Sequence, residues 1–272
     1  VCAGTTSVAC FGTRNYVEYL PGDLPIVVSV PHGGALTPAS IPDRTAGTTV
    51  TDTNTIELGR AVRDAFASGT GRTPHLIVMH LRRTKVDANR EVVEAAQGNA
   101  EAQLAWTEYH QFIEQAIGLA RATGGDGFYL DLHGHGHAKA RLELGYRLSA
   151  ATLNGSDADL DNAQVALASS LRVAAQKTTH GSASLLRGAL SLGGLLAPAL
   201  PAVPSPADPS PGSDPYFTGG YSTERHTVVI AGAQIESHYP GVRDSVSSRA
   251  AFGAALVTAI RAFVKEHLGL QI

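Results

Sequence analysis

Apolar positions along the chain fall into two distinct periods. Short apolar runs read as buried strands of a parallel-type sheet: PIVVSV at 25–30, HLIVMH at 75–80, GFYLDLH at 127–133, LELGYRLS at 142–149 and TVVIAGAQIE at 227–236. Between them the spacing becomes helical. A first helix is predicted from Asp52 to about Ser68, with Leu58, Val62, Ala65 and Phe66 on one face and Asn54 with Glu57 matching a capping box. A second covers 101–122 with Ala105, Tyr109, Phe112, Ile113, Ala116, Ile117 and Ala120 inward, and Gly124 and Gly125 end it. A third is expected over 157–176, opened by Asp157 or Asp159. The last covers 246–268, with Leu256, Val257, Ile260, Phe263 and Val264 as its apolar face and Gly269 as its stop. Strands alternating with helices predict an α/β protein, a three-layer α/β/α sandwich around a mostly parallel mixed sheet. The expected organisation is a single catalytic domain over 1–272. Residues 1–24 form a lead-in, and the proline-dense segment 197–216 is read as a surface loop without helix or inner strand.

One stretch concentrates the chemistry. FYLDLHGHGH at 128–137 ends an apolar run in Asp131, His133, His135 and His137, so a carboxylate and imidazoles are delivered where a buried strand reaches its mouth. Alternation places Asp131, His133 and His135 on one side, while Gly134 and Gly136 allow close approach of another backbone or a ligand.

Composition narrows the function classes. The 272 residues carry a formal net charge of −3 with no basic stripe, so nucleic acid is not an expected partner. No run approaches the roughly 18 apolar residues of a membrane span, so a membrane is not expected either. Cys2 and Cys10, with seven residues between them, are the only cysteines and are expected to form a disulfide. Together with a first residue Val1 rather than Met, they point to a secreted or extracytoplasmic mature chain. A monomer is expected.

A catalytic zinc takes about three ligands from His, Asp, Glu and Cys and leaves a position for water. The candidates at strand ends or helix starts are His32 (in PHGG), Asp52, His133 and His135. Asp131, two residues from His133 on the same face, is suited to orient an imidazole. His135 lies ~6.6 Å along an extended strand from His133, which makes it a pocket residue rather than a ligand. Arg82, Arg83 and Arg90 share a loop with Asp87 and Asn89, and a guanidinium there can bind a substrate carboxylate bidentately. Glu236 ends an apolar strand and can exchange a proton beside a metal. GxSxG, P-loop and HExxH signatures are absent.

The ordered set VSVPHGG (28–34), D-x-x-T-x-E-L (52–58), RTKVDANR (83–90), YH (109–110), DLHGHG (131–136), FTGGYST (217–223) and IES followed by Tyr239 resembles the N-formylglutamate amidohydrolase family, which is similar in fold to the zinc carboxypeptidases. The resemblance implies one Zn2+ per chain held by His32, Asp52 and His133. The carboxypeptidases place a glutamate three residues after the first histidine, where this chain has Ala35, and Asp52 is preferred to Asp43 as the third ligand. It further implies that Asn89 and Arg90 clamp a substrate carboxylate, that Arg83 stabilises the oxyanion, and that Glu236 is general base and acid. The expected activity is hydrolysis of an N-acyl (N-formyl) amino acid or peptide-like amide. The alternatives are a secreted carboxypeptidase-like exopeptidase or cell-wall peptide amidase, and, outside enzymes, a catalytically silent metal- or ligand-binding module.

Overall fold

The computed structural model describes residues 8–272. The strands are β1 (Cys10–Phe11), β2 (Val17–Leu20), β3 (Ile26–Val30), β4 (His75–Met79), β5 (Phe128–Gly134), β6 (Leu142–Gly145), β7 (Ala202–Val203) and β8 (Ala231–Ser237). They form one mixed sheet in the order β1-β2-β4-β3-β5-β8-β6-β7. The four central strands β4, β3, β5 and β8 run parallel, and β2 and β6 flank them antiparallel. The long helices are α1 (Thr55–Thr70), α3 (Ala100–Gly124) and α11 (Val246–Leu268), and α2 (Val92–Ala96) is a short turn before α3. Six short helices follow β6: α4 (Ala150–Leu153), α5 (Asp157–Leu160), α6 (Ala163–Ala168), α7 (Arg172–Ala175), α8 (Ser182–Arg187) and α9 (Leu192–Leu196). Then α10 (Tyr221–His226) precedes β8.

The sheet is apolar on both faces because helices cover both. Ile26, Val28 and Val30 of β3 and Phe128, Leu130 and Leu132 of β5 pack in one core with Leu58, Val62 and Phe66 of α1 and Leu256, Ile260 and Phe263 of α11. On the other face Val27, Ile77, Met79 and Tyr129 meet Ala105, Tyr109, Phe112, Ile113 and Ala116 of α3. This is the α/β/α sandwich that the alternating periods predict. By the same alternation Ser29, Asp131 and His133 point to the α3 face, whose upper end is left to polar groups.

Several elements depart from expectation for identifiable reasons. The lead-in holds the edge strand β1 and its neighbour β2; β2 is buried through Val17 and Tyr19, and its shortness hides it in the sequence. The Cys2–Cys10 pairing involves Cys2, which lies outside the described residues. Helix α1 starts at Thr55, and no capping box forms: Asn54 is left-handed (φ 65) and its Nδ2 donates to Arg243 O at 2.9 Å. The expected helix 157–176 is broken into α5, α6 and α7, with the capping box on Ser156 and Asp159. Residues 227–230 precede the strand, with Val228 and Val229 exposed. The proline-dense segment is not wholly a surface loop. Ala202 and Val203 are buried and pair with β6 as the sheet's last strand, an edge position that tolerates neighbouring prolines.

Gly145, at the end of β6, is where the segment 217–223 crosses the sheet. A Cβ there would stand 2.5 Å from Gly219 N and 2.8 Å from Thr218 C, both backbone. We expect Gly145→Ala to lower stability by about 1–3 kcal/mol through overpacking, read as a fall in the urea midpoint. An unchanged midpoint would show that the crossing loop yields freely.

Candidate active site

Sheet register assembles the polar end of the α3 face in two rungs. Ser29 pairs with Asp131, and Asp131 with Gln234, across β3, β5 and β8. One rung further on, His133 pairs with Glu236, and Glu236 with Glu143, across β5, β8 and β6. Residues directly opposite share a face, so each rung is a row of neighbouring side chains. The rows lie at the carboxyl ends of the parallel strands, where α/β folds bind ligands.

His32 reaches this place from the PHGG turn after β3, and Asp52 returns to it through its own backbone, Asp52 N donating to His32 O at 3.0 Å. His32 Nδ1 and His133 Nδ1 are 3.1 Å apart, and each is 3.4 Å from Asp52 Oδ2. Ligands bound to zinc at 2.0–2.2 Å in a tetrahedron stand about 3.3 Å from one another. The three side chains, all buried, therefore fit a zinc-sized ion by spacing and by donor type.

The outward nitrogens are held as well. His32 Nε2 meets Asp87 Oδ1 at 2.7 Å, and His133 Nε2 meets Asp131 Oδ2 at 2.8 Å. Each contact leaves Nδ1 as the atom aimed at the centre, the carboxylate–histidine arrangement typical of metal sites. Asp131 is steadied by Ser29 Oγ at 2.6 Å, and Asp87 by Arg83 Nε at 2.9 Å and Asn89 N at 3.0 Å. Asp52 Oδ2 also accepts Gly134 N–H at 3.1 Å. Gly134 is bare because Arg243 lies against it; a Cβ would be 2.3 Å from the guanidinium carbon.

Glu236 Oε1 is 4.0 Å from His133 Nδ1 and accepts from Gln234 Nε2 at 2.9 Å. Burial pushes its pKa up to about 8; the facing His133 pulls it down, while Asp52 and Glu143 push it up and Arg83 pulls it down. Burial opposes charge on His133 too, but Asp131, Asp52 and Glu236 outweigh it and hold this imidazole well above its ordinary value. Asp52 and Asp87 lie far below the usual carboxylate range: burial would raise both, and the contacts with His133 and His32 for Asp52, and with His32 and Arg83 for Asp87, reverse it.

The remaining predicted residues divide. Arg83 is buried beside the centre, 3.6 Å from Asp52 Oδ1, with Nε given to Asp87. Arg90 is half-buried, its Nη1 donating to Asn89 O at 2.8 Å and its Nε 3.2 Å from Glu94. Asn89 does not open onto the pocket as a clamp would. Its Oδ1 accepts Ser222 N–H at 2.8 Å and its Nδ2 stands 3.5 Å from Gln234 Oε1, so it anchors the 217–223 segment. Arg82 is exposed, outside the site. Asp43 is exposed and pairs with Lys85 at 2.9 Å, away from the centre. His135 is buried, with Nε2 on Arg141 O at 2.8 Å and Nδ1 accepting His137 N–H at 3.2 Å. Asp87, Gln234, Glu143 and Arg243 were missed as site residues. Asp87 stands among the noted arginines and Gln234 two residues before Glu236, a same-face spacing that strand alternation makes visible; Glu143 and Arg243 carry no sequence signal of this kind.

No family model and no curated protein matches the sequence. Among solved structures the chain is similar to an N-formylglutamate amidohydrolase from Ralstonia eutropha, with a TM-score of 0.55 and 16% identity over 93% of this chain and 99% of that one. It is also similar to a gene product of Agrobacterium tumefaciens, with a TM-score of 0.51 and 15% identity over 92% and 95% of the two chains. At these identities the likeness is one of fold.

Two outcomes are expected from the electrostatics of the metal-free protein. A ligating imidazole must give up the proton that the carboxylates hold on His133, so zinc uptake at pH 7 releases at least one proton. Calorimetry in buffers of different ionisation enthalpy reads this, and no release would show that His133 is already neutral. Between the ordinary glutamate pKa and about 8 the folded state keeps a proton on Glu236 that the unfolded chain loses, so this group's stability contribution falls as pH rises through that window. Metal-free Glu236→Gln is therefore expected to melt a few degrees above wild type at pH 9, with the gap closing toward pH 4.5.

Proposed function

We propose that the protein is a zinc-type metal-dependent hydrolase that cleaves the acyl–nitrogen bond of an N-acyl amino acid or peptide-like amide. The observation that carries this reading is the convergence of His32 Nδ1, His133 Nδ1 and Asp52 Oδ2 within 3.4 Å of one another, with the Glu236 carboxylate 4.0 Å from His133. The fold shared with an amidohydrolase supports it. A module that only bound metal would need no buried carboxylate at that distance, pinned by a glutamine.

When bound by the three ligands, a zinc ion supplies Lewis acidity, polarising the amide carbonyl and making water acidic near neutrality. The chain's own groups do the rest. Glu236, ionised by the neighbouring positive charge, accepts the proton of the attacking water and delivers it to the departing nitrogen. Gln234 keeps the accepting oxygen in place through its 2.9 Å bond. Asp87 and Asp131 fix the orientation of the imidazoles, so the ligand set is organised before substrate arrives. Arg83, buried at the edge of the centre, adds positive charge where the tetrahedral oxyanion develops. Arg90, on the outer side of the same loop, receives the substrate carboxylate on the guanidinium edge that Glu94 and Asn89 leave open.

Purified protein is expected to hold one zinc per chain and to release amine from a panel of N-formyl and N-acyl amino acids and short peptides, with loss on chelation and recovery on adding zinc. Glu236→Gln should keep the metal and lower kcat by about 10²–10⁴-fold. Turnover by a rigorously metal-free protein, or a Glu236→Gln variant within threefold of wild type, would refute the proposal.

A further inference from the structure

On the flank of the site away from the arginines lies a second buried carboxylate with its own imidazole. Glu143 closes the rung His133–Glu236–Glu143 and its side chain is 1% exposed. Its Oε1 meets His137 Nδ1 at 2.7 Å, and its Oε2 accepts Phe217 N–H at 2.9 Å. The His137 ring stacks on Phe217 with centroids 4.7 Å apart and planes 13° apart. With Nδ1 turned to the carboxylate, Nε2 is the ring's outward nitrogen, the position at which an imidazole accepts a hydrogen bond. No protein group among the described residues is bonded to that nitrogen, and the side chain is 22% exposed. A stacked, carboxylate-held imidazole with one open nitrogen is a preorganised acceptor.

Its place relative to the other groups says which part of a substrate would meet it. The loop carrying Arg83 and Arg90 follows β4, on one side of β3 and β5, whose ends supply His32 and His133. Glu143 is on β6, beyond β8 on the other side. Glu143, which holds His137, is one strand, ~4.8 Å, beyond Glu236 on the same rung.

Resting on the amide-hydrolase reading above, the geometry points to His137, positioned by Glu143, as a specificity-determining acceptor for a hydrogen-bond donor on the substrate's acyl group. The acyl class is one bearing a hydroxyl or an amine within about two bonds of the carbonyl, a hydroxyacyl or aminoacyl amide, in preference to a plain formyl or alkanoyl amide. The carboxylate of the amine half lies on the arginine side and the donor of the acyl half on the His137 side.

The test compares N-acetyl-, N-hydroxyacetyl- and N-glycyl-glutamate with the zinc-loaded enzyme. Wild type is expected to favour at least one donor-bearing amide over the acetyl amide by about tenfold or more in kcat/KM, because an acceptor left unmatched in the site is costly. The hydroxyacetyl and glycyl arms show whether a hydroxyl or an ammonium is preferred. His137→Phe keeps the stack on Phe217 and removes the acceptor, and it should bring that ratio near one through KM; His137→Gln, which restores an acceptor, should recover part of it. A ratio near one in wild type, or one that survives His137→Phe, overturns the assignment while leaving the hydrolase reading standing. If no amide is hydrolysed, the hydrolase reading fails, and imidazole 15N spectra still decide the acceptor. The His137 Nε2 signal should be that of an unprotonated nitrogen, should shift with hydroxyacetate or glycine and not with acetate, and should lose its fixed tautomer in Glu143→Gln. Equal response to all three acids overturns the proposal on its own.

Discussion

The pairing of β5 with β8 is the constraint on which the site depends. A parallel ladder in this register sets Asp131 beside Gln234 and, two residues on, His133 beside Glu236. Because side chains alternate, the residue that supports each functional group is its own same-face neighbour one step back: Asp131 under His133, Gln234 under Glu236. Slipping β8 by one residue against β5 would turn Gln234 and Glu236 toward the α1 and α11 core, where Ile235 packs. The hydrophobic core on that side therefore enforces the placement of the polar groups on this one.

The electrostatics follow from burial. Asp52, Asp87, Asp131, Glu143 and Glu236 are all buried within a small volume, against two buried arginines in direct contact, Arg83 with Asp52 and Asp87 and Arg44 with Asp87. Negative charge at this density is stable only with compensation. Part comes from protons, which is why Glu236 and His133 hold theirs above ordinary values; main-chain N–H groups from Gly134, Asn89 and Phe217 supply more. A divalent cation between the two Nδ1 atoms and Asp52 would replace the proton of His133 and draw down the pKa of Glu236.

Much of this was legible in the chain because the strongest signals are periodic. The central strands and the faces of α1, α3 and α11 appear in the spacing of apolar residues, and His32, Asp52 and His133 appear as polar residues at the ends of those elements. What the spacing hides is what depends on partners distant in sequence. Asn89 looks like a substrate ligand beside Arg90, yet a turn from residue 220 onward occupies it. Asn54 looks like a cap until Arg243 is seen to take its amide. Ala202 and Val203 sit among prolines and still form a strand, since β6 offers them an edge. The broken helix after 157 reflects Asn162 and Ser169, whose side chains compete for backbone groups within the expected run.

The segment 217–223 is tied down through its main chain. Phe217 N–H goes to Glu143, Gly220 N–H to Gln234 and Ser222 N–H to Asn89, so three side chains of the scaffold hold the loop by its peptide groups. The side chains of Phe217 and Thr218, unlike that of Tyr221, which packs on Trp106 and His110, are left out of that fastening. Descendants of this chain could exchange them one at a time, altering the wall of the pocket while the proton-carrying and metal-facing groups stayed where they are, which makes this loop the natural ground for drift from one substrate to another.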